Sequence, residues 1–209
     1  MNPEAGLRER KKQRTRETIA RVALDLFSER GYHATTLADI AEAADVSTRT
    51  IFAYFPSKED IFFCDFPAMK DALARALAER PPDKDALETL RDFILSTAPH
   101  QDKDELHEQR RHVVEGDETL RNRKRARLAQ IEELVAKAIA QDIGAAENDV
   151  RPQVVAASLT AAFDVIFEHE AGTSSSPRSA DEVATMIDPV ITFMRGGLEA
   201  LKQPRDSAA

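Results

Sequence analysis

The chain has 209 residues, enough for one sizeable core or two smaller units, and its 42% hydrophobic and 32% charged side chains fit a soluble protein. A single cysteine, Cys64, excludes an internal disulfide, while only 7 glycines and no sustained strand-like alternation point to helix. The net charge of -8 argues against nucleic acid until its distribution is read: residues 1 to 60 carry 10 basic and 10 acidic side chains, and six of those bases lie between Arg8 and Arg16.

Residues 1 to 10 show no periodicity and read as a solvated arm. Lys11, Lys12, Arg14 and Arg16 lead into a first helix whose Ile19, Val22, Ala23, Leu26 and Phe27 follow the amphipathic spacing. The basic run suits either a solvated tail or a segment tracking a DNA backbone or minor groove. Gly31 closes this helix.

From Thr35 to Lys58 the sequence predicts two short helices joined by a tight turn. Leu37, Ile40, Ala41 and Ala44 form the apolar stripe of the first. Thr36 and Asp39 make a capping box at its start, and Asp45 suits a left-handed turn residue at its end. Ser47 caps the second helix, with Val46 placed to staple onto Ile51. Ile51 and Phe55 then face inward, and Arg49 and Ala53 face outward. That arrangement is a recognition helix for a DNA major groove. Arg49 can bond the O6 and N7 of guanine together. Thr48, Thr50 and the helix N-terminus suit phosphate oxygens.

With its preceding helix ALDLFSERGYHATTLADIA, the turn AADVS and the run TRTIFAYFPSKEDIF, this stretch resembles the TetR-like bacterial repressors. Carried across position by position, the resemblance implies DNA contacts at Thr36, Ser47, Thr48, Arg49, Thr50, Phe52, Tyr54 and Lys58. Two positions depart from the family pattern. Asp45 stands where glycine is usual, and Phe52 stands where tyrosine is common and so brings no hydroxyl.

Pro56 stops the recognition helix, and Ser57 with Asp60 opens a fourth. That helix is expected to carry Lys58 at its start, to bend at Pro67, and to place Ile61, Phe62, Phe66, Met69, Leu73 and Leu77 in a larger C-terminal core. Beyond Pro81 and Pro82, helices are predicted around Leu87 to Ile94 up to Pro99, Leu106 to Val114, Leu120 to Ile139, and Asp149 to His169. After a soft loop from Gly172 to Pro177, Ser179 and Glu182 box a last helix carrying Val183, Met186, Ile187, Val190, Ile191, Met194 and Leu201 on one face. The helix from Pro152 to His169 is apolar on two stripes, Val155, Leu159, Ala162 and Ile166 on one and Ser158, Ala161 and Val165 on the other. We read it and the last helix as the interface of a homodimer, an arrangement that the resemblance also implies, the other reading being an ordinary core helix of a monomer.

No catalytic or metal-binding residues and no cofactor are expected. His107 and His112 lie about 140° apart on a helix and cannot share one metal from one face. Cys64 has no activating base near it in sequence and reads as a small buried hydrophobe, with a redox thiol the other reading. The run Arg121, Arg123, Lys124, Arg125 and Arg127 suits a solvated face, yet the helical phase sets Lys124 and Arg127 on or beside the apolar stripe, where each needs an acid or an anionic ligand. Together with Met69, Leu73, Phe93 and Phe163 they are the candidate effector contacts. FPSKEDIFFCDF and this Arg-rich helix look like the mycofactocin-regulator branch of the family, which implies an acyl-CoA-like effector.

The expected fold is all-α: a three-helix helix-turn-helix domain with a basic arm over residues 1 to 57, and a helical effector-binding and dimerisation domain over 58 to 209. The expected function is a transcriptional regulator, a homodimeric repressor released from a palindromic double-stranded operator by a small molecule. With no apolar N-terminal run and no membrane-spanning stretch, it is expected in the cytoplasm. An adaptor acting through protein contacts would tolerate loss of Arg49 and Lys58. An enzyme with an appended reader would need a nucleophile or metal cluster that the sequence does not offer.

Overall fold

A computed structural model of the chain describes residues 3–97, 104–170 and 179–202, and among them every regular element is α-helical. The order is α1 (Pro3–Arg30), α2 (Leu37–Ala43), α3 (Thr48–Tyr54), α4 (Lys58–Phe62), α5 (Phe66–Ala78), α6 (Ala86–Thr97), α7 (Asp104–Glu115), α8 (Glu118–Ile143), α9 (Arg151–Glu170) and α10 (Ala180–Lys202). The expected stops at Pro99 and across Gly172 to Pro177 lie outside the described residues.

The chain packs as two units. The first comprises residues 1–67 and 106–124, the second 68–105 and 125–209. In the first, Ile19, Ala23, Leu24 and Phe27 of α1 meet Ile40 of α2, Ile51 and Phe55 at the α3 end, Ile61 and Phe62 of α4, and Val113 and Leu120 of α7 and α8. Ile61 and Phe62 therefore belong to the N-terminal core, not to the C-terminal one. In the second, Leu73 and Leu77 of α5 join Leu87 and Leu90 of α6, Val135 and Ile139 of α8, Val155 and Leu159 of α9, and Ile191 and Leu198 of α10. Arg91 grips Asp188 through two bonds of 2.5 and 2.9 Å, which ties α6 to α10.

Two elements differ from expectation. Residues 3–10 are helical and continue α1, because Pro is tolerated in a first turn and the Arg, Glu, Lys and Gln that follow are strong helix formers. Periodicity is lacking there since residues 6–10 are all exposed. The fourth helix does not bend at Pro67 but stops at Phe62, and a new one starts at Phe66. Pro67 has no N–H to return to the carbonyl of Phe63, so a continuous helix would lose that bond, whereas the second position of a fresh helix needs none. The Phe66 amide bonds the Phe63 carbonyl at 3.1 Å in the intervening turn.

The helix ends follow their residues. Asp45, at φ 52, adopts the left-handed conformation in place of glycine. Val46 N–H reaches the Ala41 carbonyl at 2.9 Å and Asp45 N–H the Glu42 carbonyl at 3.2 Å, the paired bonds of a Schellman end. Gly144, at φ 60, closes α8 in the same way, through Ala145 to Ala140 and Gly144 to Gln141.

Candidate nucleic-acid interface

α3 is seven residues long, too short to persist alone, so its aim is set by what holds it. Ile51 and Phe55 are fully buried, and Val46 packs against the same cluster from the preceding turn. At the N-terminus the Ser47 hydroxyl accepts from the Thr50 N–H at 3.0 Å and lies 2.8 Å from the Thr50 hydroxyl. With the inward face fixed, Thr48, Arg49 and Ala53 are exposed and Phe52 is 55% exposed, a large ring presented to solvent. Tyr54 is half-buried at the edge of the core.

α2 is braced by its own box. The Thr36 hydroxyl accepts from the Asp39 N–H at 3.1 Å, and the Asp39 carboxylate takes the Thr36 N–H at 2.7 Å and its hydroxyl at 2.6 Å. Those bonds hold the Asp39 carboxyl below the usual carboxylate range. Thr36 is thus exposed but already engaged in capping.

Lys58 sits differently from a free surface cation. Its Nζ donates to the Tyr32 carbonyl at 2.6 Å and the Thr35 carbonyl at 2.9 Å, and lies 4.2 Å from the centre of the Tyr32 ring. Burial pushes its ammonium below the ordinary lysine value, opposed by the carboxylates of Glu59 and Asp117. An ammonium carries three protons, so one remains for an outside acceptor.

Sequence reasoning missed the residues that lock this loop. Thr35 is fully buried, and its hydroxyl donates toward the carbonyls of Leu26 at 3.2 Å and Gly31 at 2.9 Å, fastening the end of α1 to the start of α2. Asp117 caps α8 through the Leu120 N–H at 3.0 Å and meets His33 Nε2 at 3.1 Å. Burial, then Glu59, raises the Tyr32 phenol above its ordinary value. A Thr beside a capping Thr gives no periodic signal, and contacts at |i−j| of 80 or more leave none in a single sequence.

Of the candidate effector contacts, Leu73 is buried in the second core, and Phe93 and Phe163 pack half-buried against it. Met69, Lys124 and Arg127 are half-buried, and the two cations already have interaction partners. A void of about 50 Å³ beside Leu87, Ile139 and Arg195 has room for water but not for an effector. Burial and the neighbouring Asp65 carboxylate push the Cys64 thiol up to about 11, away from the thiolate form that a reactive cysteine needs. Among the described residues no group of His, Cys, Asp and Glu could hold a metal, and no helix is long and apolar enough to cross a membrane.

Comparison with known proteins matches both this stretch and the C-terminal part of the chain. The family described as bacterial regulatory proteins, tetR family, matches residues 19–63, and the MftR C-terminal domain family matches residues 84–199. The HTH-type transcriptional regulator TcmR of Streptomyces glaucescens is 42% identical over 85 residues, 41% of this chain and 38% of that protein. The mycofactocin biosynthesis regulator MftR of Mycobacterium tuberculosis is 27% identical over 161 residues, 77% of this chain and 81% of that protein. RutR of Escherichia coli is 34% identical over 89 residues, 43% of this chain and 42% of that protein. The chain thus aligns with less than half the length of TcmR and RutR. Among solved structures, a SmeT–triclosan complex superposes with a TM-score of 0.63 at 17% identity, covering 86% of this chain and 90% of that one. NalD, the secondary repressor of the MexAB-OprM efflux pump in Pseudomonas aeruginosa, gives 0.60 at 23% identity, covering 88% and 97%. At such identities the likeness concerns the fold.

Proposed function

The chain belongs to the TetR family of bacterial DNA-binding regulators, and from that premise we propose that it is a homodimeric repressor, released from a palindromic operator by a small-molecule effector. The observation that carries this reading is α3: a short helix pinned by Ile51 and Phe55, capped by Ser47, and offering Thr48 and Arg49 outward.

The division of labour follows the chain. Residues 1–57 read DNA, and 58–209 bind effector and dimerise. Arg49 reads a base, while Thr48, Thr50, Ser47 and the α3 N-terminus hold phosphates. Thr36 and Tyr54 flank them, Phe52 makes an apolar contact, and Lys58 offers its remaining proton to the backbone. The protein acts where chromosomal DNA lies, in the cytoplasm.

The dimer reading draws on an exposed apolar face. On α9, Val154 is 57% and Val165 65% exposed, with Ala157 and Ala161 exposed between them; on α10, Phe193 is 75% exposed. Burying such a face against a second copy is favourable, and two-fold symmetry would set two reading helices about 34–36 Å apart. The effector would enter the second unit near Met69, Leu73, Phe93 and Phe163, with Arg127 exchanging its present partner for the anionic group; Lys124 falls in the first unit. An acyl-CoA-like ligand, which the sequence resemblance implies, is the first to screen.

Nuclease protection of operator DNA tests this reading. Two protected half-sites about one helical turn apart, lost on addition of effector, are expected. Protection of a single half-site would refute the dimeric reader.

A further inference from the structure

Within the first unit, α1, the turn between α4 and α5, and α7 enclose an open groove of about 490 Å³. Its floor is small and buried, formed by Ala20 and Cys64. Four arginines line it, Arg14, Arg16, Arg21 and Arg110, against two acids, Glu17 and Asp65, in a protein whose overall charge is -8.

The arginines are not equivalent. Arg16 is preset: its guanidinium lies 4.7 Å over the Phe55 ring and donates to the Cys64 carbonyl at 3.0 Å. Arg110 is held from the opposite wall by Asp65 at 2.7 Å, with its other nitrogen 3.7 Å from the Cys64 sulfur. Arg14 and Arg21, seven residues apart on one face of α1, are exposed and take no ion-pair partner among the described residues. Glu17 accepts from Gln13 at 2.9 Å, so that carboxylate is partly occupied. Three arginines of α1 and one of α7 face the same space with only Glu17 and Asp65 to offset them, an excess of positive charge that an anion would relieve, and planar guanidinium forks suit the several oxygens of a phosphate. The groove has room for a small polyatomic anion.

We propose that this groove binds a small phosphate-bearing anion at a site separate from both the recognition helix and the effector pocket. Its ligand would bridge the arginines of α1 to Arg110 of α7, both within the first unit.

Isothermal titration of the full-length protein with inorganic pyrophosphate at low salt is the test. One saturable site per chain is expected. Arg14→Gln with Arg21→Gln should weaken it at least tenfold, with the far-UV circular dichroism unchanged because both side chains are exposed. Arg49→Gln, on the recognition helix, should leave pyrophosphate binding as it was, and a saturating operator duplex should not displace the anion. The proposal falls if binding does not saturate, if the double variant binds like wild type, if Arg49→Gln removes binding, or if duplex DNA displaces pyrophosphate. The last outcome would make the groove a contact for the DNA backbone.

Discussion

Arg49 projects from the first turn of α3, exposed, with its helix anchored two residues later by the fully buried Ile51. Its replacement by Ala should cost about 1–3 kcal/mol at one operator position and relax specificity there, read by binding to a panel of single-base operator variants. Equal loss on every sequence would make it a phosphate contact instead. Asp39 makes a second test at this scale. Its carboxyl is held low by the hydroxyl and amide of Thr36, so its stabilising contribution is present above the unfolded value of about 3.9 and is lost as pH falls through the folded value. Asp39→Asn should therefore melt below wild type at neutral pH, with the gap closing under acid; a pH-independent gap would contradict that origin. These residues were legible because caps and outward positions repeat at short, fixed spacings. Lys58 was legible as the cation at the start of α4, but its bonds to the Tyr32 and Thr35 carbonyls were not, since they depend on where α1 ends in space.

At the scale of the element, α9 shows how far a pattern reaches. Its two apolar stripes are plain in the sequence, and in the single chain Val155 and Leu159 are buried while Val154, Ala161 and Val165 stay open. Burial of a large aromatic side chain contributes about 1.5–3 kcal/mol, so a charge at Phe193 on α10 would oppose docking of a second copy. Phe193→Asp should sediment as a monomer with its helical content retained, and an unchanged dimer would move the interface elsewhere. The gap between α4 and α5 taught the opposite lesson. Phe62 to Met69 is apolar but for Asp65, so periodicity alone ran the two helices together, and the missing N–H of Pro67 separates them. The exposed start of α1 escaped for a related reason: a helix that buries nothing has no stripe to read.

In the molecule as a whole, the reading unit was largely written in the sequence, because a recognition helix needs caps, a turn and two anchors within about twenty residues. The unit's other half was not. Residues 106–124 join it through Val113, Leu120 and Asp117, at separations along the chain that no local pattern records. The candidate effector contacts form only a set of apolar and cationic side chains on several helices, since a pocket is made by mutual packing that a single sequence does not record. The most direct measurement is fluorescence anisotropy with the intergenic DNA beside the protein's own gene and with an unrelated duplex, each at two salt concentrations. A preference of about a thousandfold with a steep salt dependence is the expected result for a sequence-specific reader. Equal, weak binding to both duplexes would contradict a reader of that operator and favour a helix-turn-helix that works through protein contacts.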